Sequence, residues 1–429
     1  MSWARWLAIN IEYRMSATLT ASTPSTASRA PDGLWFGKDL STPEPISEEA
    51  IERAVALMRS GRLHRYGEQG SGYPEPSLLE QDYAAYVGSK YCVAVSSCGA
   101  AMFIALKALG VKPGDKVLTS TFTLSPVPGA IAHAGAEAVL IETTADYMTD
   151  LQDLERKAAT SGAKVFLLSH MRGHIADLQA VRAICDRHGI AIIEDCAHTM
   201  GAKWDGQHTG TWGKVGCYSA QTYKHINSGE GGLLVTDDDD VAAQAILMSG
   251  CYMMYEQHIL KPASSVFERW KYVTPNFSMR MSNLAATLLR PQISQLASRG
   301  QRWNHIYSAL ERELTKAEHV SVPARHPKEE FIASSIQFTL DLEPHQIEHF
   351  LKECDLRGLY IKWFGTPSPV AFTSNYEHWH YMQSKSDIPK SKAVLNKLMD
   401  LRTPLSLLDA DCVLIGQIVA AASLIAAAN

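Results

Sequence analysis

Short apolar runs and longer amphipathic stretches alternate along the chain from Ile46 to about residue 298. The apolar runs have the length of buried strands, and helical spacing of apolar positions is typical of the stretches between them. Strands and helices in this order are typical of βαβ crossovers, so the pattern predicts a mainly parallel, buried sheet in an α/β domain. The predicted strands cover residues 92–95, 116–119, 138–141, 164–169, 190–194, 217–220 and 233–236.

Capping residues and glycines delimit several predicted helices. Ser47 is a candidate N-cap and Gly61 a stop signal for the first of them. Glycines also follow predicted helices over residues 100–109 and 178–188. The first helix has three apolar residues that share one face, namely Ile51, Val55 and Met58.

The alternation ends near residue 298, and a smaller α+β set follows. Its predicted elements are a long helix over 301–314, a strand over 336–340, a helix over 344–357 and a final helical region. A chain of 429 residues exceeds one ordinary core, which also favours two packed domains.

We therefore predict three parts. Residues 1–32 form a disordered N-terminal extension, in which residues 16–32 are rich in Ser, Thr, Ala and Pro. Residues 33–300 form the large α/β domain, and residues 301–429 form the small C-terminal domain.

Composition and charge narrow the possible partners. The formal net charge of -5 gives no basic excess for binding phosphate backbones, so we expect no nucleic acid partner. Eight cysteines without a C-x-x-C pair are few for a disulfide scaffold in so long a chain, which favours a reducing cytoplasm.

The uncharged stretch 412–428 approaches the roughly 20 residues that span a bilayer. However, Gln417 and Ser423 dilute its apolar character, and Asp409 and Asp411 lie where a helix of a globular protein begins. We favour a buried last helix and predict no membrane partner.

Ligands of parallel sheets bind at the carboxyl ends of the strands, where this sequence places hydroxyls, a carboxylate, imidazoles and a lysine. The sequence contains neither G-x-G-x-x-G after the first strand nor a P-loop pattern, which excludes the usual dinucleotide and P-loop sites. It also shows no metal-ligand spacing, so no metal is predicted.

Lys224 closes the segment Ser-Ala-Gln-Thr-Tyr-Lys, and a glycine-rich turn follows it. Asp195 ends an apolar strand in Ile-Ile-Glu-Asp-Cys-Ala-His. A partly desolvated lysine can form a Schiff base, and pyridoxal phosphate enzymes also need an acid at the pyridine nitrogen. Alone, Lys224 is typical of a surface lysine and Asp195 of a helix cap or buried ion pair.

These ordered segments resemble the DegT/StrS family of fold-type I, pyridoxal-phosphate-dependent aminotransferases, best known for aminating keto sugars. The resemblance runs from about Ile46 to Ser423. It implies bound pyridoxal 5'-phosphate, which alternates with pyridoxamine phosphate, and transfer of an amino group from glutamate or glutamine to a ketone acceptor such as a keto sugar or cyclitol. It also implies a homodimer with shared active sites and only small-molecule substrates as further partners.

The resemblance also assigns roles to residues. It makes Lys224 the Schiff-base lysine and proton carrier, and Asp195 the partner of the pyridine nitrogen. It implies that Ala197 packs on the ring face, that His198 lies near the ring hydroxyl and that Ser219 contacts the phosphate. The alternative for His198 is a purely structural histidine, and the alternative for Ser219 is a hydroxyl at the end of a strand with no role in binding.

The chain departs from the family pattern around the cofactor. Cys98, Gly99 and Ala100 open a helix whose N–H groups suit a phosphate, but the family's Ser-Gly-Thr offers a hydroxyl that is missing here. Leu124 replaces a stacking aromatic ring, which lowers cofactor retention by about 0.5–1.5 kcal/mol. Phe122 is expected to point to the opposite face.

A third departure lies near Asn276, where two extra residues interrupt the family's Asn-aromatic-Arg-Met-Ser. Asn276 is our choice for an asparagine that reaches the neighbouring subunit's phosphate. Residues 251–275 and 363–381 also depart from the sugar-aminotransferase pattern, and we predict that they determine acceptor choice.

Five residues are candidates for the substrate pocket: Tyr66, Glu68, His170, Arg172 and Trp363. Packing within the loop is an equal alternative for His170 and Arg172, and aromatic residues of a small domain are more often core.

Two other functions remain open. One is a dehydratase of the same fold, although its relatives replace the lysine by histidine and Lys224 therefore argues against it. The other is a sensor that holds the cofactor without turnover, which Leu124 and the altered turn keep open.

Overall fold

The computed structural model describes residues 30–67, 72–369, 374–382 and 387–429. Most of the predicted N-terminal extension therefore lies outside the described residues. Its last three residues are described, and they contact the rest of the chain. Ala30 is buried, and Asp32 forms an ion pair with Arg357 at 2.6 Å.

The chain alternates helices and strands as its sequence predicts. The α-helices of the described residues are α1 (Glu48–Ser60), α2 (Glu75–Val87), α3 (Cys98–Ala108), α4 (Pro126–His133), α5 (Leu151–Thr160), α6 (Leu178–His188), α7 (Asp239–Ser249), α8 (Ser264–Trp270), α9 (Asn283–Ile293), α10 (Leu296–Leu314), α11 (Pro344–Leu356), α12 (Pro389–Leu395) and α13 (Asp409–Ala427). Short 3-10 helices cover Met171–Gly173, Tyr255–Gln257 and Tyr376–His378.

The strands form three sheets. They are β1 (Tyr91–Val95), β2 (Lys116–Ser120), β3 (Glu137–Ile141), β4 (Val165–Ser169), β5 (Ala191–Asp195), β6 (Lys203–Trp204), β7 (Gln207–His208), β8 (Val215–Ser219), β9 (Gly232–Thr236), β10 (Val320–Ser321), β11 (Glu329–Glu330), β12 (Ser335–Leu340), β13 (Lys362–Trp363) and β14 (Leu398–Arg402).

A large sheet of seven strands, in the order β1-β9-β8-β5-β4-β2-β3, forms the centre of the molecule. Neighbouring strands from β3 to β8 pair in parallel, while β9 runs antiparallel to both β8 and β1. All seven coincide closely with the predicted strands, so the predicted α/β class with a mainly parallel sheet is confirmed. These strands are almost entirely buried, which explains their continuous apolar character.

Register brings the candidate residues to one edge of this sheet. Ser169 at the end of β4 lies directly beside Asp195 at the end of β5, and Asp195 lies beside Cys217 on β8. Ser219 ends β8, and Cys98 begins α3 shortly after β1. The carboxyl edge of the large sheet therefore gathers the polar residues that the sequence singled out.

A second sheet has the order β10-β12-β14-β13. Its strand β12 contacts α10, and α13 packs against both α10 and α11. A third, three-stranded sheet pairs β11 with β6, which joins residues 329–330 to residues 203–204. The predicted domain boundary after residue 300 lies inside helix α10. The division into two domains stays a prediction.

Helix α13 is long and apolar enough to span a membrane by length and composition. It packs against α10 and α11, however, and Ile415, Ile418 and Val419 have no exposed surface. Asp411 accepts a hydrogen bond from the Leu408 amide at 2.8 Å at the start of the helix. This packing favours the buried last helix over a membrane span.

Helix α1 begins as predicted, because Ser47 Oγ accepts a hydrogen bond from the Ala50 amide at 3.4 Å. Its small residues Ala50 and Ala54 are buried. The predicted apolar face is only partly covered, since Ile51 is 39% exposed and Met58 is 50% exposed. This face of the helix remains available to another surface.

A buried ionic network anchors residues 251–275 to the large sheet. Arg65 Nη2 lies 2.7 Å from the carboxylate of Glu80, and His258 Nδ1 lies 3.0 Å from the same carboxylate. Arg65 and Glu80 are 1% and 0% exposed. Glu80 also accepts a hydrogen bond from the Ala94 amide of β1 at 2.7 Å.

We expect Glu80→Ala to lower the free energy of unfolding by about 3–5 kcal/mol, because it leaves the Arg65 guanidinium buried without its carboxylate. Denaturant unfolding followed by circular dichroism measures this change. Glu256→Ala, at a mostly exposed carboxylate in the same segment, is the matched control and is expected to change the value by less than about 0.5 kcal/mol. Equal losses in the two variants would contradict the assigned role.

Candidate active site

A cavity of about 1320 Å³ lies at the carboxyl edge of the large sheet, and residues of the second sheet complete its wall. It brings together most of the residues predicted from the sequence. Those that line it are Cys98, Gly99, Leu124, Arg172, Asp195, Ala197, His198, Ser219, Lys224 and Trp363.

Lys224 lies in the turn after β8, and its Nζ is 2.7 Å from His198 Nε2. Burial and then the positive charge of Arg172 lower the pKa of Lys224 to about 8. A lysine with this pKa holds a substantial neutral fraction near physiological pH. It is therefore suited to attack a carbonyl carbon.

His198 is the hydrogen-bond partner of this lysine. Burial, followed by the charges of Lys224 and Arg172, holds the pKa of His198 well below its usual range. The neutral imidazole therefore accepts the hydrogen bond that the Lys224 ammonium donates. The sequence placed His198 near a ring hydroxyl, and the structure adds a direct contact with the nucleophile.

The low pKa of Lys224 predicts how the rate of Schiff-base formation depends on pH. The rate at which the cofactor-free protein forms a Schiff base with added pyridoxal phosphate should rise through about pH 8, because only the neutral amine attacks. Arg172→Gln removes a charge that lowers this pKa, so the rise should move to higher pH. Stopped-flow absorbance measures both profiles.

Arg182→Gln is the control for this measurement, because it removes the same charge from an exposed side chain outside the cavity lining. Its profile should match that of the unaltered protein. If the midpoint of the Arg172→Gln profile lies at the same pH as that of the unaltered protein, or at a lower pH, the electrostatic account is contradicted.

Asp195 is buried at the end of β5, and three groups of the described residues donate to its carboxylate. Ser169 Oγ donates to Oδ2 at 2.8 Å, and the Ala197 amide donates to Oδ1 at 3.1 Å. The Cys98 thiol lies 3.7 Å from Oδ1. Burial and then the charge of Asp195 raise the pKa of the Cys98 thiol well above its usual range, so the thiol keeps its proton and donates it to this contact.

The N-terminus of helix α3 forms another part of the cavity wall. Cys98 and Gly99 line the cavity. The Ala100 amide donates to Ser97 Oγ at 3.0 Å, and Ala100 is absent from the lining formed by the described residues. The contact of Ala100 with a phosphate stays a prediction.

Ser219 and Leu124 line the cavity as predicted, and Ser219 Oγ accepts a hydrogen bond from the Gln221 amide at 3.3 Å. Leu124 packs against an apolar cluster that contains the buried Phe122. The buried Lys224, the Asp195 carboxylate, which accepts hydrogen bonds from its neighbours, and the N-terminus of α3 thus share one cavity. This donor set fits the aldehyde, the pyridine nitrogen and the phosphate of pyridoxal phosphate.

Two predicted substrate residues are buried elsewhere in the described structure. Tyr66 is 4% exposed, and its hydroxyl lies 2.6 Å from His258 Nε2. His170 is 1% exposed, and its Nε2 lies 3.0 Å from Glu194. Both side chains make core contacts, and neither lines the cavity formed by the described residues. Their contact with a substrate stays a prediction.

Asn276 is exposed and does not line the cavity of its own chain within the described residues. Its Oδ1 accepts a hydrogen bond from the Ser278 amide at 2.9 Å. Its contact with a neighbouring subunit stays a prediction. Glu68 and part of the predicted specificity segment 363–381 lie outside the described residues.

Lys362, Asp400 and Arg402 are among the charged residues of the cavity wall that the sequence did not indicate. Asp400 and Arg402 interrupt the apolar strand β14 at alternate positions, and this spacing was the available signal. Arg172 forms an ion pair with Asp400 at 2.6 Å, and Trp363 donates from Nε1 to the Asn396 carbonyl at 2.8 Å.

A family model described as the DegT/DnrJ/EryC1/StrS aminotransferase family matches residues 45–419. The spore coat polysaccharide biosynthesis protein SpsC of Bacillus subtilis is 32% identical over 262 residues, which cover 61% of this chain and 65% of SpsC. A putative L-glutamine:3-amino-2,3-dideoxy-scyllo-inosose aminotransferase of Streptomyces kanamyceticus is 35% identical over 211 residues, 48% of each chain. These matches span less than two thirds of either relative.

Solved structures share the fold over most of the chain. The aminotransferase TlmJ from Streptoalloteichus hindustanus has a TM-score of 0.77 at 20% identity, covering 90% of this chain and 99% of TlmJ. The 3-amino-5-hydroxybenzoic acid synthase has a TM-score of 0.76 at 22% identity, covering 90% of this chain and 98% of that enzyme.

The family match extends over nearly all of the described residues. The fold, the buried lysine and the carboxylate that faces the same cavity agree with it. The chain belongs to the DegT/DnrJ/EryC1/StrS aminotransferase family, whose enzymes depend on pyridoxal 5'-phosphate.

Proposed function

We propose that the protein is an aminotransferase that takes an amino group from glutamate or glutamine and passes it to a ketone acceptor such as a keto sugar, a cyclitol or a related biosynthetic intermediate. The observation that carries this proposal is the position of Lys224, buried and 2.7 Å from His198 in a cavity that Asp195 also lines. Pyridoxal phosphate bound there supplies the electron sink for the carbon that gains or loses the amino group.

Lys224 acts as the nucleophile and as the carrier of the proton that moves at the substrate carbon. His198, which stays neutral, accepts a hydrogen bond from Lys224 Nζ and orients the amine. Asp195 provides a negative charge for the protonated pyridine nitrogen. The Ser169 hydroxyl and the Ala197 amide hold its carboxylate in place by hydrogen bonds. Ala197 and Leu124 provide apolar cover in the cavity.

The donor and acceptor classes are supported by the relatives. The name of the Streptomyces kanamyceticus relative gives glutamine as donor and an amino-dideoxy-scyllo-inosose as acceptor. SpsC is named for the biosynthesis of a spore coat polysaccharide. A common donor and a ring ketone acceptor fit a cavity of about 1320 Å³.

A two-step screen tests this proposal. The protein loaded with pyridoxal phosphate is first mixed with glutamate, glutamine and alanine, and formation of 2-oxo acid is measured. The amino form is then mixed with nucleotide-linked keto sugars, scyllo-inosose and open-chain ketones, and the aminated product is identified by mass spectrometry. We expect glutamate or glutamine to exceed alanine and a ring ketone to be aminated. Failure of all three donors would contradict the proposal.

We also propose a homodimer with shared active sites. The partly uncovered apolar face of α1 supports it, since Ile51 and Met58 are large apolar side chains at the surface. Met253 and Tyr272, both exposed and both within residues 251–275, add further apolar surface. Sedimentation equilibrium should give twice the 47.2 kDa chain mass, and a monomer at micromolar concentration would contradict the proposal.

A cytoplasmic location is proposed as well. All eight cysteines are free and buried, which is the state that a reducing compartment maintains.

A further inference from the structure

Two buried hydroxyl groups adjoin the Asp195 carboxylate at the carboxyl edge of the large sheet. Ser169 ends β4 and pairs in register with Asp195 at the end of β5, so their side chains lie on the same face of the sheet. Thr123 lies three residues after β2, the strand on the other side of β4. The order of three neighbouring strands therefore brings two hydroxyls and one carboxylate into a row.

Short hydrogen bonds join these three side chains. Ser169 Oγ lies 2.8 Å from Asp195 Oδ2, and Thr123 Oγ1 lies 2.9 Å from Ser169 Oγ. Thr123 and Ser169 are 1% and 7% exposed, and neither lines the cavity that the described residues form. An effect of the two hydroxyls on a molecule bound in the cavity therefore passes through Asp195, which does line it.

The chemistry of the three groups determines which group donates each hydrogen bond. A carboxylate only accepts, so Ser169 donates its single hydroxyl hydrogen to Asp195. The Ser169 oxygen is then left as an acceptor, and Thr123 donates its hydroxyl hydrogen to it. We call this chain from Thr123 through Ser169 to Asp195 the hydroxyl relay. The hydrogen bond from Thr123 keeps the Ser169 hydroxyl pointed at the carboxylate and, by polarising it, strengthens the bond that Ser169 donates.

The donors around Asp195 stabilise a negative charge without neutralising it. The Ala197 amide and the Cys98 thiol donate to Oδ1, and the Ser169 hydroxyl donates to Oδ2. These three donors are neutral, so they stabilise the buried carboxylate and add no positive charge. A proton that moved onto Asp195 would weaken these hydrogen bonds, because each of them is strongest to the charged carboxylate.

We propose that Ser169 and Thr123 are positioning residues whose hydroxyl relay keeps Asp195 ionised and oriented, and so keeps the proton on the pyridine nitrogen of bound pyridoxal phosphate. This inference rests on the role of Asp195 in the proposed function and deepens it. A protonated ring nitrogen makes the cofactor an effective electron sink, so the relay supports both halves of the amino-group transfer. Ser169 contacts Asp195 directly, whereas Thr123 acts through Ser169 and is expected to contribute less.

Nitrogen-15 NMR of the protein loaded with ring-labelled pyridoxal phosphate tests the relay, because the chemical shift of the ring nitrogen reports whether it carries the proton. The unaltered protein should give the signal of a protonated nitrogen. Ser169→Ala should move this signal toward that of the unprotonated ring and lower turnover about tenfold or more, because it removes a donor to a charged group. Thr123→Val should move the signal in the same direction by less. Thr123→Ser keeps the hydroxyl and should leave the signal in place.

A double variant tests the order of the two residues in the relay. Ser169→Ala combined with Thr123→Val should give the same signal as Ser169→Ala alone, since Thr123 has no route to Asp195 once the Ser169 hydroxyl is gone. Additive shifts of the signal would overturn the serial arrangement.

Two matched controls remove buried hydroxyls elsewhere in the chain. Thr119→Val alters a threonine of β2 whose hydroxyl donates to the Leu167 carbonyl at 2.9 Å. Ser423→Ala alters a serine of α13 whose hydroxyl donates to the Ala420 carbonyl at 3.1 Å. Both side chains are fully buried and lie outside the cavity lining, so neither substitution should move the ring-nitrogen signal. Circular dichroism establishes that each variant is folded.

The outcomes separate the relay from the function on which it rests. Asp195→Asn should give the signal of the unprotonated ring, and an unchanged signal in this variant would overturn both the assigned role of Asp195 and the relay. A changed signal in Asp195→Asn, with an unchanged signal in a folded Ser169→Ala or Thr123→Val variant, would overturn the relay alone. The signal requires bound cofactor and no turnover. The relay is therefore tested even if no amino donor reacts, in which case the proposed function fails.

Discussion

Lys224→Ala is expected to abolish amino-group transfer, with a fall in turnover of about 10²–10⁴-fold or more, because the variant lacks both the nucleophile and the proton carrier. It should also lose the absorption band of lysine-bound pyridoxal phosphate. Steady-state kinetics and absorbance spectra measure the two effects.

The controls separate Lys224 from the other lysines. Lys214→Ala alters a half-exposed lysine outside the cavity lining and should leave turnover unchanged. Lys362 also lines the cavity and has a pKa lowered to about 8, so Lys362→Met tests whether it holds the cofactor instead. Persistence of the absorption band in Lys224→Ala, with its loss in Lys362→Met, would show that the wrong lysine has been assigned.

Asp195→Asn should lower turnover by about 10²–10³-fold while leaving the fold intact. The substitution keeps the shape of the side chain but removes the negative charge that Ser169 and Ala197 hold in place. The pyridine nitrogen then loses the anion that keeps it protonated. Steady-state kinetics at saturating cofactor measures the effect.

Asp146→Asn is the matched control, because Asp146 is exposed and lies outside the cavity lining. Circular dichroism and cofactor absorbance establish that both variants are folded and loaded. A turnover of Asp195→Asn within threefold of the control would contradict the assigned role.

Much of the fold and of the central site could be predicted from local sequence. The strands of the large sheet are almost entirely buried and therefore appear as largely apolar runs, so the residues at their ends could be located. Asp195 and Ser219 lie at those ends, Lys224 lies in the turn after β8, and all three line one cavity. The predicted family, fold class, enzyme class and cofactor are confirmed by the family match and the fold.

Residues with distant partners could not be assigned in this way. The contact of Tyr66 with His258, 192 residues away in the sequence, could not be identified from local pattern. Lys362 and Asp400 become neighbours only through the pairing of β13 with β14. Such contacts depend on how separate strands and loops pack, which no local periodicity specifies.

The most direct test of the central claim is the absorbance spectrum of the protein loaded with pyridoxal phosphate during titration with L-glutamate and, separately, with L-glutamine. We predict that at least one of them replaces the band of lysine-bound cofactor with that of pyridoxamine phosphate, and that a ketone acceptor restores the original band. A band that forms but does not respond to either donor would indicate a sensor that binds the cofactor without turnover. Conversion that persists in Lys224→Ala would also contradict the mechanism proposed for this cavity.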